Sequence, residues 1–520
     1  MNKKNNFSPI ILALILSAGI YIGYILTPTN KNSNKFDLIL NQIEASYVDS
    51  INKEQLIEKC IESLLEELDP HSSYIKAKDL SNVNEPMEGS FDGIGIEFNI
   101  KNDTLLVVAP ISGGPSEQLG IKSGDKIIIV DDENIVGPKL NNEKVFKLLR
   151  GKRGSKVKIQ ILRNKKDELL KYTITRDKIP INSIDVSYMV DNALGYVKIN
   201  RFSATTYKEF QIASKKLLSQ GMTKMVLDLR NNPGGYLGAA INLANEFLED
   251  DVLIVYTEGL NRKKEEYFSN SRGNLISTEI IVLINEGSAS ASEIVAGAIQ
   301  DNDRGIVAGR RSFGKGLVQE QFENADGSAF RLTTQSYFTP TGRSIQKPYK
   351  NGFKTEYDED YFDRLNNGEL FSKDSIKFVD SLKFITKKGK ILYGGGGIIP
   401  DVFIPIDTST YNEQLSNLNR KDLIRSFAFD YTKRNREKIE KQTLNYFIKY
   451  FQIDNNTMNL FIEKCKKEGV NLIVNDLNVN DLEILETQLK AFIARNIWND
   501  DGFYPIINQI DNTFKEAIVL

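Results

Sequence analysis

The sequence predicts a multidomain α/β protein: a mostly parallel sheet covered by helices, a smaller strand-rich module ahead of it, and helical segments at both ends. Three observations predict it. Over residues 178–405, apolar strand-sized runs alternate with helix-sized periodic stretches, the rhythm of a parallel sheet with helices on its faces. Short strand-like stretches broken by glycine turns fill 89–177, whereas 36–88 and 406–520 read as helical in pattern and charge. The 520 residues exceed what one hydrophobic core organises, and 41% hydrophobic with 26% charged residues is a globular balance.

At the start, Lys3 and Lys4 precede an uncharged stretch whose apolar part is 9–26. Eighteen helical residues span roughly 27 Å at about 1.5 Å each, close to a hydrocarbon core of about 30 Å. Residues 1–35 therefore predict a membrane anchor with its lysines on the cytoplasmic side, or a cleaved signal, and in either case export of the chain from residue 36 onward. Residues 36–68 then read as helices, with Leu56, Ile57, Cys60, Ile61, Leu64 and Leu65 on one face. The run Asp69-Pro70-His71-Ser72-Ser73-Tyr74 stops them, because proline disfavours helical geometry in the residue before it. His71, the single histidine, reads as a loop residue that hydrogen-bonds locally.

Charge and composition exclude several classes. Lys plus Arg is 67 against 69 Asp plus Glu, a net charge of −2, so no electrostatic footprint for nucleic acid exists. Cys60 and Cys465 are too few for a disulfide framework, one histidine cannot build a multi-histidine zinc site, and no metal or cofactor is implied.

In 89–177, strands are expected at 93–98, 105–109, 126–130, 156–162 and 169–174. Helices are expected at 115–119 and 142–149, with Ser116 and Asn141 as caps. Phe91-Asp92-Gly93-Ile94-Gly95-Ile96, followed by Pro110 through Ile129 (PISGGPSEQLGIKSGDKIII), resembles a PDZ domain. Glycines at 93 and 95 let consecutive backbone N–H groups turn toward one anion, so Gly93, Ile94, Gly95 and Ile96 form the expected site for a peptide C-terminus. The adjoining strand edge would pair with the extended peptide. The expected partners are thus proteins or peptides with accessible C-termini. The chain's own apolar end, Ala517-Ile518-Val519-Leu520, reads as a packed helix turn in preference to a groove ligand.

In 178–405, strands are expected at 195–199, 224–229 and 280–284, helices at 205–220, 237–248 and 290–300, and paired strands at 316–322 and 329–338. A polar, aromatic insert occupies 346–392, and Gly394 to Asp401 rejoins the domain. Three segments carry possible chemistry. Asp228-Leu229-Arg230-Asn231-Asn232-Pro233-Gly234-Gly235 follows a strand and leaves glycine N–H groups free to donate. Asn285 to Glu293 joins a buried strand to a helix, where a serine hydroxyl meets the positive helix end. Ser290-Ala291-Ser292-Glu293 also has capping-box spacing, and nothing local chooses among Ser288, Ser290 and Ser292. Gly309 to Gly316 nearly fits a phosphate loop, but Gly316 stands where a hydroxyl is needed and the continuation reads as a strand. Lys315 reads as a solvated turn lysine or a general base: with no histidine to spare, a serine nucleophile would need another base, and lysine is the available kind. Free lysine has a pKa of about 10.4, so burial would have to lower it by about three units.

In the order DPHSSY, PDZ-like module, LDLRNNPGG, GSASASE and FGKGLVQ, the chain resembles the carboxy-terminal processing peptidases, or tail-specific proteases. That is a serine-lysine family with a ClpP/crotonase-like core and a PDZ domain. The resemblance covers 36–345 and resumes at 394–405. It implies Ser290 as nucleophile, Lys315 as base and Gln319 holding the lysine, since 315 and 319 share a side of a strand. It also implies an oxyanion hole from the N–H groups of Ala291 and Gly235, with Gly234 the other candidate glycine. The expected activity is serine-type endopeptidase, with a homo-oligomer or an adaptor protein as further partners. A rival reading is an inactive, membrane-anchored PDZ scaffold; the presence of Ser290, Lys315 and Gln319 speaks against it. The insert and the helical tail depart from the simplest members.

Overall fold

The computed structural model describes residues 8–26, 35–111, 113–163, 168–408 and 412–520. The chain divides into two compact units, Met1–Leu65 and Glu66–Leu520.

In the first unit the apolar stretch forms the helix Ser8–Leu26; Lys3 and Lys4 lie outside the described residues. Among the described residues no helix is long and apolar enough to cross a membrane, so the transmembrane expectation is not met there. Two amphipathic helices follow, Lys35–Ser46 and Lys53–Glu66. The Lys53 ammonium joins them, reaching Glu44 at 2.7 Å and Asn41 at 2.9 Å.

The second unit is built on a six-stranded sheet in the order Ile184–Met189, Leu194–Ile199, Lys224–Asp228, Glu279–Ile284, Ile306–Gly309 and Val402–Phe403. All neighbours are parallel except the first pair. Its strands are apolar on both sides because both faces are covered. Met225, Leu227 and Val282 point to one face, under the helices Thr206–Ser219, Leu237–Asn245 and Ala291–Asp301. Val226, Ile281 and Leu283 point to the other, where Tyr504, Phe514, Ala517 and Ile518 of the C-terminal region cover them. At the chain's end the helix closes at Ala517, which is fully buried, and Ile518 packs beside it, whereas Val519 and Leu520 are exposed, so only half of the expected packed turn forms.

A second sheet lies in the order Ser73–Ile75, Ala329–Phe338, Leu253–Gly259 and Arg262–Phe268, with Leu317–Glu323 also on Ala329–Phe338. It corrects two expectations. Part of the supposed helical segment 36–88 is a strand paired to residues 329–331, and the 253–268 hairpin was not anticipated. Its outer strand, RKKEEYF, is almost wholly exposed and lacks an apolar alternation to announce it.

The strand-rich module has the sheet order Ile96–Lys101, Thr104–Pro110, Lys126–Val130, Lys156–Leu162 and Leu170–Thr175. Asn141 caps Asn142–Leu149 as expected, accepting from the Lys144 N–H at 2.8 Å. Ser116 does not cap. Proline at the first position makes Gly114 the cap residue, and Ser116 is buried with its hydroxyl on the Ile94 carbonyl at 2.6 Å. The insert contains the helix Lys354–Asn366, and the tail is helical from Glu413 to Ala517, with breaks.

Candidate active site

Strands Lys224–Asp228 and Glu279–Ile284 are parallel neighbours, so the loops leaving their C-terminal ends lie side by side. Those loops carry LDLRNNPGG and GSASASE. They are stitched together: the Ala289 N–H donates to the Asn232 carbonyl at 2.9 Å, and the Asn231 N–H to Asn285 Oδ1 at 2.8 Å. Gly234 has φ +97°, and a Cβ there would stand 2.8 Å from Ser290 Cβ. Only glycine permits that approach.

The three serines now separate. Ser288 is buried with its hydroxyl on the Leu229 carbonyl (2.8 Å), and Ser292 is buried with its hydroxyl on the Asn232 carbonyl (2.9 Å). Ser290 is partly exposed and has φ +53° and ψ −112°, a strained backbone that a sharp strand-to-helix turn imposes. The S-x-x-E spacing does form a cap contact, with Glu293 accepting from the Ser290 N–H at 2.8 Å. The N–H groups of Ala291 and Gly235 have no acceptor among the described residues, whereas the Gly234 N–H is engaged by Asn232 Oδ1 at 2.9 Å.

Lys315 comes from the loop between Ile306–Gly309 and Leu317–Glu323, and two side chains hold its backbone to that of Ser290. Glu293 is fully buried and accepts from the N–H groups of Ser290 (2.8 Å), Gly314 (2.8 Å) and Lys315 (2.9 Å) and from the Ser312 hydroxyl (2.5 Å). The Tyr337 hydroxyl lies on the carbonyls of both Ser290, at 3.1 Å, and Lys315. Sequence reading saw Glu293 only as a cap and missed Tyr337. Burial raises the Glu293 carboxyl to about 7, with its four donors opposing.

The Lys315 ammonium makes no hydrogen bond or ion pair within 4 Å among the described residues. Burial pulls it below the usual lysine range and the Arg331 guanidinium pushes the same way, against Glu293 and Asp69. Gln319 does not hold it. Its amide donates to Thr333 Oγ1 at 3.3 Å, because the strand begins at Leu317 and a register shift between Val318 and Gln319 breaks the alternation that would align 315 with 319. His71 hydrogen-bonds locally, through its N–H to Asp69 at 2.8 Å, but its ring also meets the Tyr357 hydroxyl of the insert at 3.0 Å. Burial, then the Lys315 charge, lowers the imidazole to about 4. Among the described residues no cluster of three or more His, Cys, Asp or Glu could hold a metal ion.

In the strand-rich module, Gly93 closes the strand Ser90–Gly93 and Ile96 opens Ile96–Lys101. Between them the Ile94 carbonyl accepts from Ser116 and the Gly95 carbonyl from Ile111. The Ile94 and Gly95 N–H groups have no acceptor among the described residues. Gly95 sits at φ +72°, where a side chain is strained. Ile96–Lys101 is an edge strand, and Phe98 packs edge-on against Phe146 of the helix Asn142–Leu149, ring centroids 5.6 Å apart.

Residues 193–358 match Peptidase family S41, residues 93–174 a PDZ domain, and residues 414–499 a family of unknown function, DUF8443. The carboxy-terminal-processing protease of Bartonella bacilliformis is 37% identical over 347 residues, covering 65% of this chain and 79% of that one. A Staphylococcus aureus protein called "Probable CtpA-like serine protease" is 34% identical over 342 residues, 65% of this chain and 68% of its own. A solved photosystem II D1 C-terminal processing protease is 26% identical, with TM-score 0.37, over 72% of this chain and 88% of that one. The class is therefore a serine-type peptidase with a PDZ domain. The chain belongs to peptidase family S41, the carboxy-terminal-processing proteases.

Proposed function

We propose that this peptidase is an exported endopeptidase with a ClpP/crotonase-like core that works by a Ser290–Lys315 mechanism and selects protein substrates near their C-termini through the PDZ domain. The observation that carries the mechanism is the double tie between the two backbones: Glu293 and Tyr337 each bond to both residue 290 and residue 315. Neutral Lys315 takes the proton from the Ser290 hydroxyl as its oxygen attacks the substrate carbonyl carbon. The N–H groups of Ala291 and Gly235 donate to the resulting oxyanion. As the tetrahedral centre collapses, Lys315 passes its proton to the departing amine nitrogen and an acyl-Ser290 ester remains. Water then gives a proton to Lys315 as its oxygen attacks the ester carbonyl; when this second tetrahedral centre collapses, the Ser290 oxygen leaves, takes that proton back from Lys315, and the carboxylic acid is released.

The unbonded N–H groups of Ile94 and Gly95 support docking of a C-terminal carboxylate, with Gly93 and Ile96 shaping the turn. The unpaired edge of Ile96–Lys101 supports pairing with the residues before it. The apolar helix Ser8–Leu26, preceded by Lys3 and Lys4, supports export and an association of the N-terminal segment with the membrane.

An unstructured peptide with a free C-terminus is expected to be cleaved by the wild type and not by Ser290→Ala; cleavage by both, or by neither, refutes the enzymatic site. The same peptide amidated at its C-terminus is expected to be cleaved more slowly, and equal rates refute carboxylate docking. Accessibility of the catalytic part to external protease in intact, outer-layer-stripped cells tests export, and protection refutes it.

A further inference from the structure

We infer that Asp511, in the C-terminal helical region, is a positioning residue for catalysis: it holds Arg230, and through Arg230 the turn that carries the oxyanion donor Gly235. This rests on the proposed roles of Ser290 and Gly235. Asp511 lies outside the segments that match peptidase family S41 and DUF8443, which end at residues 358 and 499.

The strand Lys224–Asp228 ends in a fully buried carboxylate. Asp228 receives the Tyr196 hydroxyl at 2.7 Å and, from Arg230, Nε at 3.0 Å and Nη2 at 2.6 Å. That leaves the outer edge of the guanidinium, and Asp511 takes it: Nη1 reaches Oδ1 at 3.0 Å and Nη2 lies 2.8 Å from Oδ2. Lys198 completes the cluster, with Nζ 3.5 Å from Asp228 and donating to the Arg230 carbonyl at 3.3 Å. Two carboxylates thus face two cations in a site where the arginine side chain is only 14% exposed. Without Asp511 the cluster carries one uncompensated positive charge, and one end of the planar fork is left to solvent.

The backbone immediately after Arg230 has no slack. Asn231 sits at φ +59° with its N–H on Asn285. Asn232 then accepts from Gly234, Ala289 and Ser292. The Gly235 N–H is therefore placed by a short chain of fixed contacts that begins at Arg230. Asp511 is fixed in turn from its own side. It caps the helix Asn512–Ala517, accepting from the Phe514 N–H at 3.0 Å. That helix is seated on the outer face of the catalytic sheet, where Phe514 meets Tyr196 edge-on at 5.2 Å. The aspartate has two jobs: Oδ1 accepts from both the Phe514 N–H and Arg230 Nη1, while Oδ2 meets only Arg230 Nη2. They are separable by side-chain charge and reach. Asparagine and serine both cap helices about as well as aspartate, but neither supplies the charge, and serine does not reach the guanidinium.

The experiment uses the full chain. Asp511→Asn and Asp511→Ser are compared with wild type for kcat, KM and thermal midpoint, with Ser290→Ala assayed beside them. Asp511→Ser is expected to lose about tenfold in kcat, with KM within about twofold and the midpoint within a few degrees, because a displaced donor weakens the transition state more than substrate binding. Asp511→Asn is expected to fall in between, and Asp511→Glu to recover part of the loss. A peptide boronate, whose adduct places an oxygen anion in the oxyanion hole, is expected to bind the serine variant weaker by the same factor. Wild-type kcat in both variants beside an inactive Ser290→Ala overturns the role of Asp511 alone. A loss of kcat that tracks an equal loss of folded structure in both cap-competent variants also overturns it, since the residue would then be a structural cap. Activity in Ser290→Ala overturns the site reading itself, and this inference with it.

Discussion

The serine side and the lysine side of the site are held by different kinds of structure. Ser290 caps the helix that follows a parallel strand, and the turn beside it leaves the neighbouring strand, so sheet register sets the two loops side by side and hydrogen bonds between the loops complete the contact. Lys315 sits in a loop with no such support. Arg364 of the insert, almost fully buried, donates to the carbonyls of Ser312 at 2.7 Å and Phe313 at 3.1 Å. Gln346 accepts from the Gly316 N–H at 2.8 Å, and Glu293 from Gly314 and Lys315. The serine is positioned by neighbouring strands with side chains stitching their loops, and the lysine, off the sheet, by buried polar side chains throughout. A base that must stay uncharged needs a dry setting, and a dry loop must have every carbonyl and N–H satisfied from elsewhere.

Replacing the base should have the largest effect. Lys315→Arg keeps a cation that does not deprotonate, so kcat/KM is expected to fall by about a thousandfold or more. In the wild type kcat/KM should rise with pH along a limb centred below the usual lysine range, because the lowered ammonium must lose its proton to act. An arginine variant that cleaves at a tenth of the wild-type rate would break the distinction between the two sides.

Glu293 belongs to both sides, and its carboxyl is raised from 4.5 to about 7. Folding therefore favours its protonated form. Its contribution to stability is full below about pH 4.5 and is lost as pH rises through about 7, a change of about 3 kcal/mol at most. Chemical denaturation of wild type and Glu293→Gln across that window should show the difference shrinking as pH rises; parallel curves would refute it.

Arg364→Ala tests the lysine side alone. It strips donors from buried carbonyls and should destabilise by about 2–3 kcal/mol, with kcat falling further than for a comparable change near Ser290. Ser292→Ala is that comparison and the smallest effect. It removes one hydroxyl from the Asn232 carbonyl and should cost about 1 kcal/mol in denaturant melts with kcat within about twofold. Equal losses of kcat in the two variants would erase the contrast.

Legibility followed the same division. The core strands at 195–199, 224–229 and 280–284 were readable within a residue or so, because strands buried on both faces are continuous apolar runs. The choice among Ser288, Ser290 and Ser292 was not readable from local residues, since the carbonyls that occupy two of the hydroxyls lie 59 and 60 positions away. Gln319 was misplaced by a strand bulge that alternation does not announce. Tyr337 and Arg364 left no local signal, as a buried polar residue in sequence looks like any exposed one, and Asp511 left none because its partner Arg230 lies 281 positions away.

By itself the sequence determined the family and the order of its modules, and it supplied the residues proposed for the site, because periodicity and turn chemistry are local and the glycine and serine motifs are contiguous. Only the tertiary structure decided which of the three serines stays partly exposed, which N–H groups stay unbonded, and that Arg364 of the insert and Asp511 of the C-terminal region reach the loops concerned. Those are questions of where buried hydrogen bonds and charges find partners, and the partners are chosen by packing across hundreds of residues.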